Sequence, residues 1–153
     1  MRMKRFFQIF AAALCFAVPE AKAADSLTMA AFAYTNKLMV AGYTGTETLV
    51  NFPVLVRLAE YNESTGKGIR GFLYANLTNS KGGDIAFFDE FGNHLASEIE
   101  TNSWKHANNE SLIWVRLPQM KQRTKFYMCY NTTASGAWVT NESPWGDYVG
   151  VWH

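Results

Sequence analysis

The chain has 153 residues, a formal net charge of +1, 15% aromatic residues and two cysteines, Cys15 and Cys129. That length supports a domain with its own apolar core. Lysines and arginines form no extended basic patch of the kind a phosphate backbone requires, which excludes nucleic acid as a partner.

The first residues, Met1-Arg2-Met3-Lys4-Arg5, are basic, and from Phe6 to Val18 the chain is apolar apart from Gln8. Ala21-Lys22-Ala23 then places small residues where signal peptidase cuts, so residues 1–23 read as a secretory signal peptide and the chain as exported to the periplasm, cell surface or medium. The apolar run is shorter than the ~20 residues a membrane-spanning helix needs, so contact with a membrane is confined to export. Cleavage after Ala23 removes Arg2, Lys4, Arg5, Lys22 and Glu20 and turns the net charge slightly negative. It also removes Cys15. Cys129 is then left without an intrachain partner, and its apolar neighbours Phe126-Tyr127-Met128 and Tyr130 make it a buried, inert thiol.

Residues 24–35 carry no clear period and read as a linker or a frayed first strand. Beyond them the hydrophobic period is two rather than 3.6. Lys37–Tyr43 is a strand ended by Thr44-Gly45-Thr46. In Val54–Leu58, Val54, Val56 and Leu58 share a face and Arg57 points the other way. Residues 62–68 are a polar loop, and in the irregular stretch 69–77 Phe72 and Leu73 are expected to pack inward. Asn79–Gly83 is a second loop. Asp84–Asp89 and Leu95–Glu100 form a hairpin across Glu90-Phe91-Gly92-Asn93, whose Gly and Asn tolerate positive φ. Ser111–Leu117 puts Ile113, Val115 and Leu117 on one face and Leu112, Trp114 and Arg116 on the other, and Pro118 stops it. Thr124–Tyr130 is expected to pair with it across the Lys121–Arg123 turn, with Lys121, Arg123 and Lys125 as a solvated cluster. Residues 134–144 connect to a last strand from Asp147 to Trp152. Six or seven short strands without a helical stripe predict an all-β fold, an antiparallel, jelly-roll-like sandwich.

Several of these segments together carry a family resemblance. Asn51–Leu58, Gly83–Asp89, Gly92–Leu95, Glu98–Glu100, Leu112–Pro118 and Phe126–Asn131, taken in order, resemble the bacterial family called domain of unknown function 2341. The similarity runs over roughly residues 36–153. Tyr148–His153 looks like the exit by which that family commonly enters a laminin-G or concanavalin-like lectin fold. Phe88 and Asn131-Thr132-Thr133 depart from the family pattern without breaking the strands. The resemblance implies a sandwich module at 36–146, with 147–153 opening a lectin-like domain that lies beyond a truncated end. Because the family has no established catalytic residues, none is carried over. Some members accompany a proton-channel domain of the ExbB/TolQ kind, which implies a periplasmic sensor as an alternative role.

The chemistry-bearing candidates are few. Glu98 and Glu100 project from one face of a strand, about 7 Å apart along it. That spacing lies within the ~5–9.5 Å used by glycoside hydrolases, although Ile99 in the core with both carboxylates in water gives the same pattern. Asp84, Asp89, Glu90 and Asn93 fit turn chemistry better than a calcium loop, and His94, His106 and His153 are too scattered for zinc. There is no Gly-x-Ser-x-Gly, phosphate loop or Cys-x-x-Cys. No catalytic residue, cofactor or metal is therefore assigned. All five tryptophans lie after the signal, and Trp104, Trp138 and Trp145, in predicted loops, are the candidate ligand contacts. The expected function is that of a non-catalytic structural or recognition module with surface glycans or another protein as partner. The alternative is a part of a secreted carbohydrate-active enzyme.

Overall fold

The structure, a computed structural model, describes residues 27–105, 109–132 and 143–146. Among these residues, seven strands run in chain order: β1 (Tyr34–Met39), β2 (Leu49–Leu58), β3 (Ala86–Phe88), β4 (His94–Leu95), β5 (Ser97–Ile99), β6 (Ser111–Met120) and β7 (Lys125–Tyr130). They form two sheets, ordered β1-β7-β3-β4 and β2-β6-β5, with every named pairing antiparallel. The fold is an all-β sandwich. No helix among the described residues is long and apolar enough to cross a membrane.

The period-two pattern places the core. Val56, Leu58, Ile113, Val115 and Leu117 face inward from one sheet, and Phe87, Leu95, Phe126, Met128 and Tyr130 face them from the other. Burying such a side chain contributes about 1.5–3 kcal/mol, so this layer dominates stability. Phe72 and Tyr74, on the long connection between β2 and β3, plug one end of the same core. The Tyr74 hydroxyl donates to the Leu58 carbonyl at 2.7 Å and lies 2.9 Å from Ser111 Oγ, so this buried polar atom is satisfied. Leu73, expected inside, is 48% exposed, because neighbours in extended backbone face opposite ways and Phe72 and Tyr74 take the interior.

β7 is buried on both faces. Its second face, with Cys129, meets Ala86, Phe88 and Phe32 in a smaller cluster against which Leu27 and Met29 pack. Residues 27–33, expected to be linker or frayed strand, instead carry a 3-10 turn at Met29–Ala31 and cover the outside of the four-stranded sheet, and β1 begins at Tyr34. Burial pushes the Cys129 thiol pKa up, with an opposing contribution from Thr35, whose hydroxyl lies 3.4 Å away.

Three local expectations are corrected. β6 and β7 are consecutive but do not pair: β6 lies between β2 and β5, while β7 lies between β1 and β3. The Lys121–Thr124 turn therefore carries the chain from one sheet to the other, with Arg123 at φ +60°. Pro118 does not end β6, which continues to Met120. By that point β6 has run past β5, whose pairing reaches only Val115, so among the described residues no strand requires the missing N–H. The hairpin after β3 is real at Phe87–Leu95 and Phe88–His94, but at Ala96 the returning strand switches sheets and continues as β5. The backbone N–H of Arg116 donates to the Ala96 carbonyl at 2.9 Å and ties this crossing to β6. That side of the sandwich is closed. On the opposite side, β1 and β2 are the outermost strands among the described residues.

Candidate functional site

The outer face of the three-stranded sheet brings together residues that are far apart in sequence. Alternation turns Leu112, Trp114 and Arg116 of β6 outward. Antiparallel register sets Leu55 of β2 and Glu98 of β5 on either side of Trp114. Residues 143–146 lie across this face. Pro144 is fully buried, the Trp145 ring sits 4.9 Å from the Trp114 ring at 61°, and a Cβ at Gly146 would come within 2.8 Å of the Arg116 guanidinium. An edge-on indole pair of this kind contributes ~0.5–1.5 kcal/mol beyond its area.

Both carboxylates of the Glu98-Ile99-Glu100 segment are tied to that pair. The Trp114 indole N–H donates to Glu100 Oε1 at 3.1 Å, and the Trp145 N–H donates to Glu98 Oε2 at 3.1 Å. Both glutamates are half-buried, and Ile99 between them packs against the core. The result is an aromatic pair held at fixed orientation, bordered by two acceptors. Further along the same face, Arg57 holds Glu110 in a fork at 2.6 and 2.9 Å. The hydrogen bond from Arg57 keeps the Glu110 carboxyl below its ordinary pKa, against some desolvation, with Arg57 and Lys67 adding favourable charge.

The expected contacts separate in space. Trp145 belongs to this face. Trp104 sits elsewhere, its N–H donating to the Ser80 carbonyl at 2.7 Å and its ring edge-on to Tyr74 at 5.7 Å. Its ring fills the space where a Cβ on Gly82 would stand, and Gly82 is at φ +76°. Trp138 lies outside the described residues. Trp114 is the site residue that loop-based reasoning passed over. Its outward direction was readable from the alternation in Ser111–Leu117, but its partner Trp145 was not.

The oxygen-rich turn residues have local roles. Buried Asp84 accepts from the Thr78 backbone and hydroxyl at 2.7 and 2.8 Å and from the Asn79 backbone at 3.3 Å. Asp89 accepts from the Phe91 and Asn93 backbones at 2.8 Å, closing the turn between β3 and β4. Among the described residues, no three His, Cys, Asp or Glu side chains are grouped so as to hold a metal ion.

Residues 81–141 match the family described as a domain of unknown function, DUF2341. The DUF2341 match takes in β3 to β7, with Glu98, Glu100 and Trp114, while β1, β2 and Trp145 lie outside it. No curated protein and no solved structure matches the chain.

Proposed function

We propose that the chain is a non-catalytic recognition module of an exported protein, standing beside a lectin-like domain and binding glycans through the outer face of β5 and β6. The observation that carries this reading is the Trp114–Trp145 pair, with each indole N–H held by a carboxylate, Glu100 and Glu98 respectively. Indole faces stack on the C–H faces of sugar rings, and carboxylates accept hydroxyl protons. Rings fixed before binding lose little freedom on binding, which favours recognition.

The test is calorimetric titration of the purified chain with a panel of neutral and charged oligosaccharides. Saturable binding to at least one is expected, weakened about tenfold or more, the equivalent of ~1.4 kcal/mol, by Trp145→Ala and by Glu98→Gln. No binding across the panel, or binding unchanged in both variants, overturns the proposal. The same-face glutamates favour one second reading, a part of a carbohydrate-active enzyme. New reducing ends released by the wild type and not by Glu98→Gln would establish that reading and refute the non-catalytic one.

A further inference from the structure

The outer face of the three-stranded sheet continues past the tryptophan pair. Leu112 lies two residues before Trp114 on β6 and shares its face. The register sets Leu55 beside Trp114 and Arg57 beside Leu112. Leu55 is 41% exposed. Past these leucines the face opens into a groove of about 750 Å³ between residues 59–68 and the start of β6. Arg57, Glu60, Lys67, Asn109 and Glu110 are among its lining. The groove wall is set by the fold itself. Asn62 Oδ1 accepts from the Ser64 and Thr65 backbones at 3.0 and 3.2 Å, and a Cβ on Gly68 would collide with the Glu60 carbonyl, so the two arms of this loop lie against each other.

Charge is balanced in the groove, where Arg57 and Lys67 face Glu60 and Glu110. Arg57 and Glu110 neutralise each other in their fork, and Glu60 accepts the Tyr74 backbone N–H at 2.8 Å. Among the described residues, the Lys67 and Asn109 side chains make no hydrogen bond, and between them they offer five N–H donors and a carbonyl. A hydroxyl both donates and accepts, so a balanced wall of this kind suits a polyhydroxylated ligand better than a charged one. At the tryptophan end, Glu98 and Glu100 outnumber Arg116, which disfavours an acidic sugar there as well. Four residues of β6, about 13 Å, separate Trp114 from Glu110, farther than a single sugar ring reaches. We propose that this face binds a neutral, extended oligosaccharide, one end on the Trp114–Trp145 pair, the middle over Leu55 and Leu112, and the other end in the groove at Lys67 and Asn109. The proposal rests on the glycan reading and adds to it a second contact and the charge and length of the ligand.

The test is calorimetric titration of the whole chain with the two-unit and six-unit members of the cello-, xylo- and chito-oligosaccharide series, and with hexagalacturonate as an acidic counterpart. In at least one series the six-unit sugar is expected to bind about tenfold tighter or more than the two-unit sugar, because a second contact made by one ligand is intramolecular. Lys67→Ala and Asn109→Gly should each bring six-unit affinity down toward the two-unit value and leave two-unit binding unchanged, with thermal melting confirming the fold. Glycine at 109 keeps the positive φ of that position. Trp145→Ala should weaken both lengths. Equal affinity for the two lengths, six-unit binding untouched by both groove variants, or tighter binding of hexagalacturonate would each overturn the proposal and leave the glycan reading standing. Binding to none of these neutral sugars would also overturn it, and the wider oligosaccharide panel then decides the glycan reading separately. Should neither groove variant fold, the length comparison in the wild type decides alone.

Discussion

Trp104 and Trp145 are both half-buried, both occupy segments outside the sheets, and both donate their indole N–H, yet the structure uses them differently. Trp104 gives its proton to a main-chain carbonyl, packs edge-on to Tyr74 and fills the space over Gly82. Trp145 gives its proton to the Glu98 side chain and meets another indole on the outside of a sheet. A ring locked onto backbone and core holds the fold together. A ring held by a carboxylate keeps a fixed orientation on the outer face of a sheet. Burial does not separate the two residues, but the identity of their partners does.

Removing each ring puts that difference on a stability scale. Trp104→Ala strips the cover from Tyr74 and leaves a void beside Gly82, and a loss of about 3–5 kcal/mol is expected in urea unfolding. Trp145→Ala removes the edge-on contact with Trp114 and the hydrogen bond to Glu98 from the outer face, and about 1–2 kcal/mol is expected. Equal losses would break the comparison and make Trp145 a core residue in all but position. An intermediate effect is expected from Tyr74→Phe, which keeps the ring that Trp104 packs on and deletes only the hydroxyl between Leu58 and Ser111. The Leu58 carbonyl and Ser111 hydroxyl then lose a buried partner, at a cost of about 1–3 kcal/mol by the same unfolding measurement.

What was legible in the sequence followed the reach of the pattern. Alternation within a strand is local, so the inward faces of β2 and β6 and the outward direction of Trp114 could be read directly. Sheet membership is not local. A short turn between two apolar strands looks the same whether the strands pair or part, and Lys121–Thr124 parts them because β2 and β1, from much earlier in the chain, hold β6 and β7 in separate sheets. The site shows the same divide. Glu98 and Glu100 were recognisable as a same-face pair from two-residue spacing. The indoles that engage them arrive from the neighbouring strand and from a segment 47 residues away from Glu98, and no local signal marks those meetings. Phe88 is a further case. Its bulk looked like a departure from the family pattern, and the space for it is made by Phe32, whose ring lies 5.9 Å away on a segment expected to be linker.

The smallest predicted effect tests the outer face through charge. The Glu110 carboxyl is held below its ordinary pKa by the hydrogen bond from Arg57, so in this pair the folded state binds its proton less readily than the unfolded chain. The pair's contribution is therefore present at neutral pH, above the unfolded carboxylate value of ~4.3, and is lost as pH falls through the lower folded value. Wild type should accordingly melt slightly above Glu110→Gln at pH 7, and the gap should close on acidification. Added salt at pH 7 should also narrow it, because the Arg57 side chain is 71% exposed and the pair is screened. Trp104→Ala, by contrast, should lose the same stability at every pH in this range, since the contacts it deletes involve no carboxylate. If the Glu110→Gln gap persisted unchanged into acid, the ion pair would not be its source. The outer face around Arg57 would then be stabilised by packing, as the Trp104 side of the molecule is.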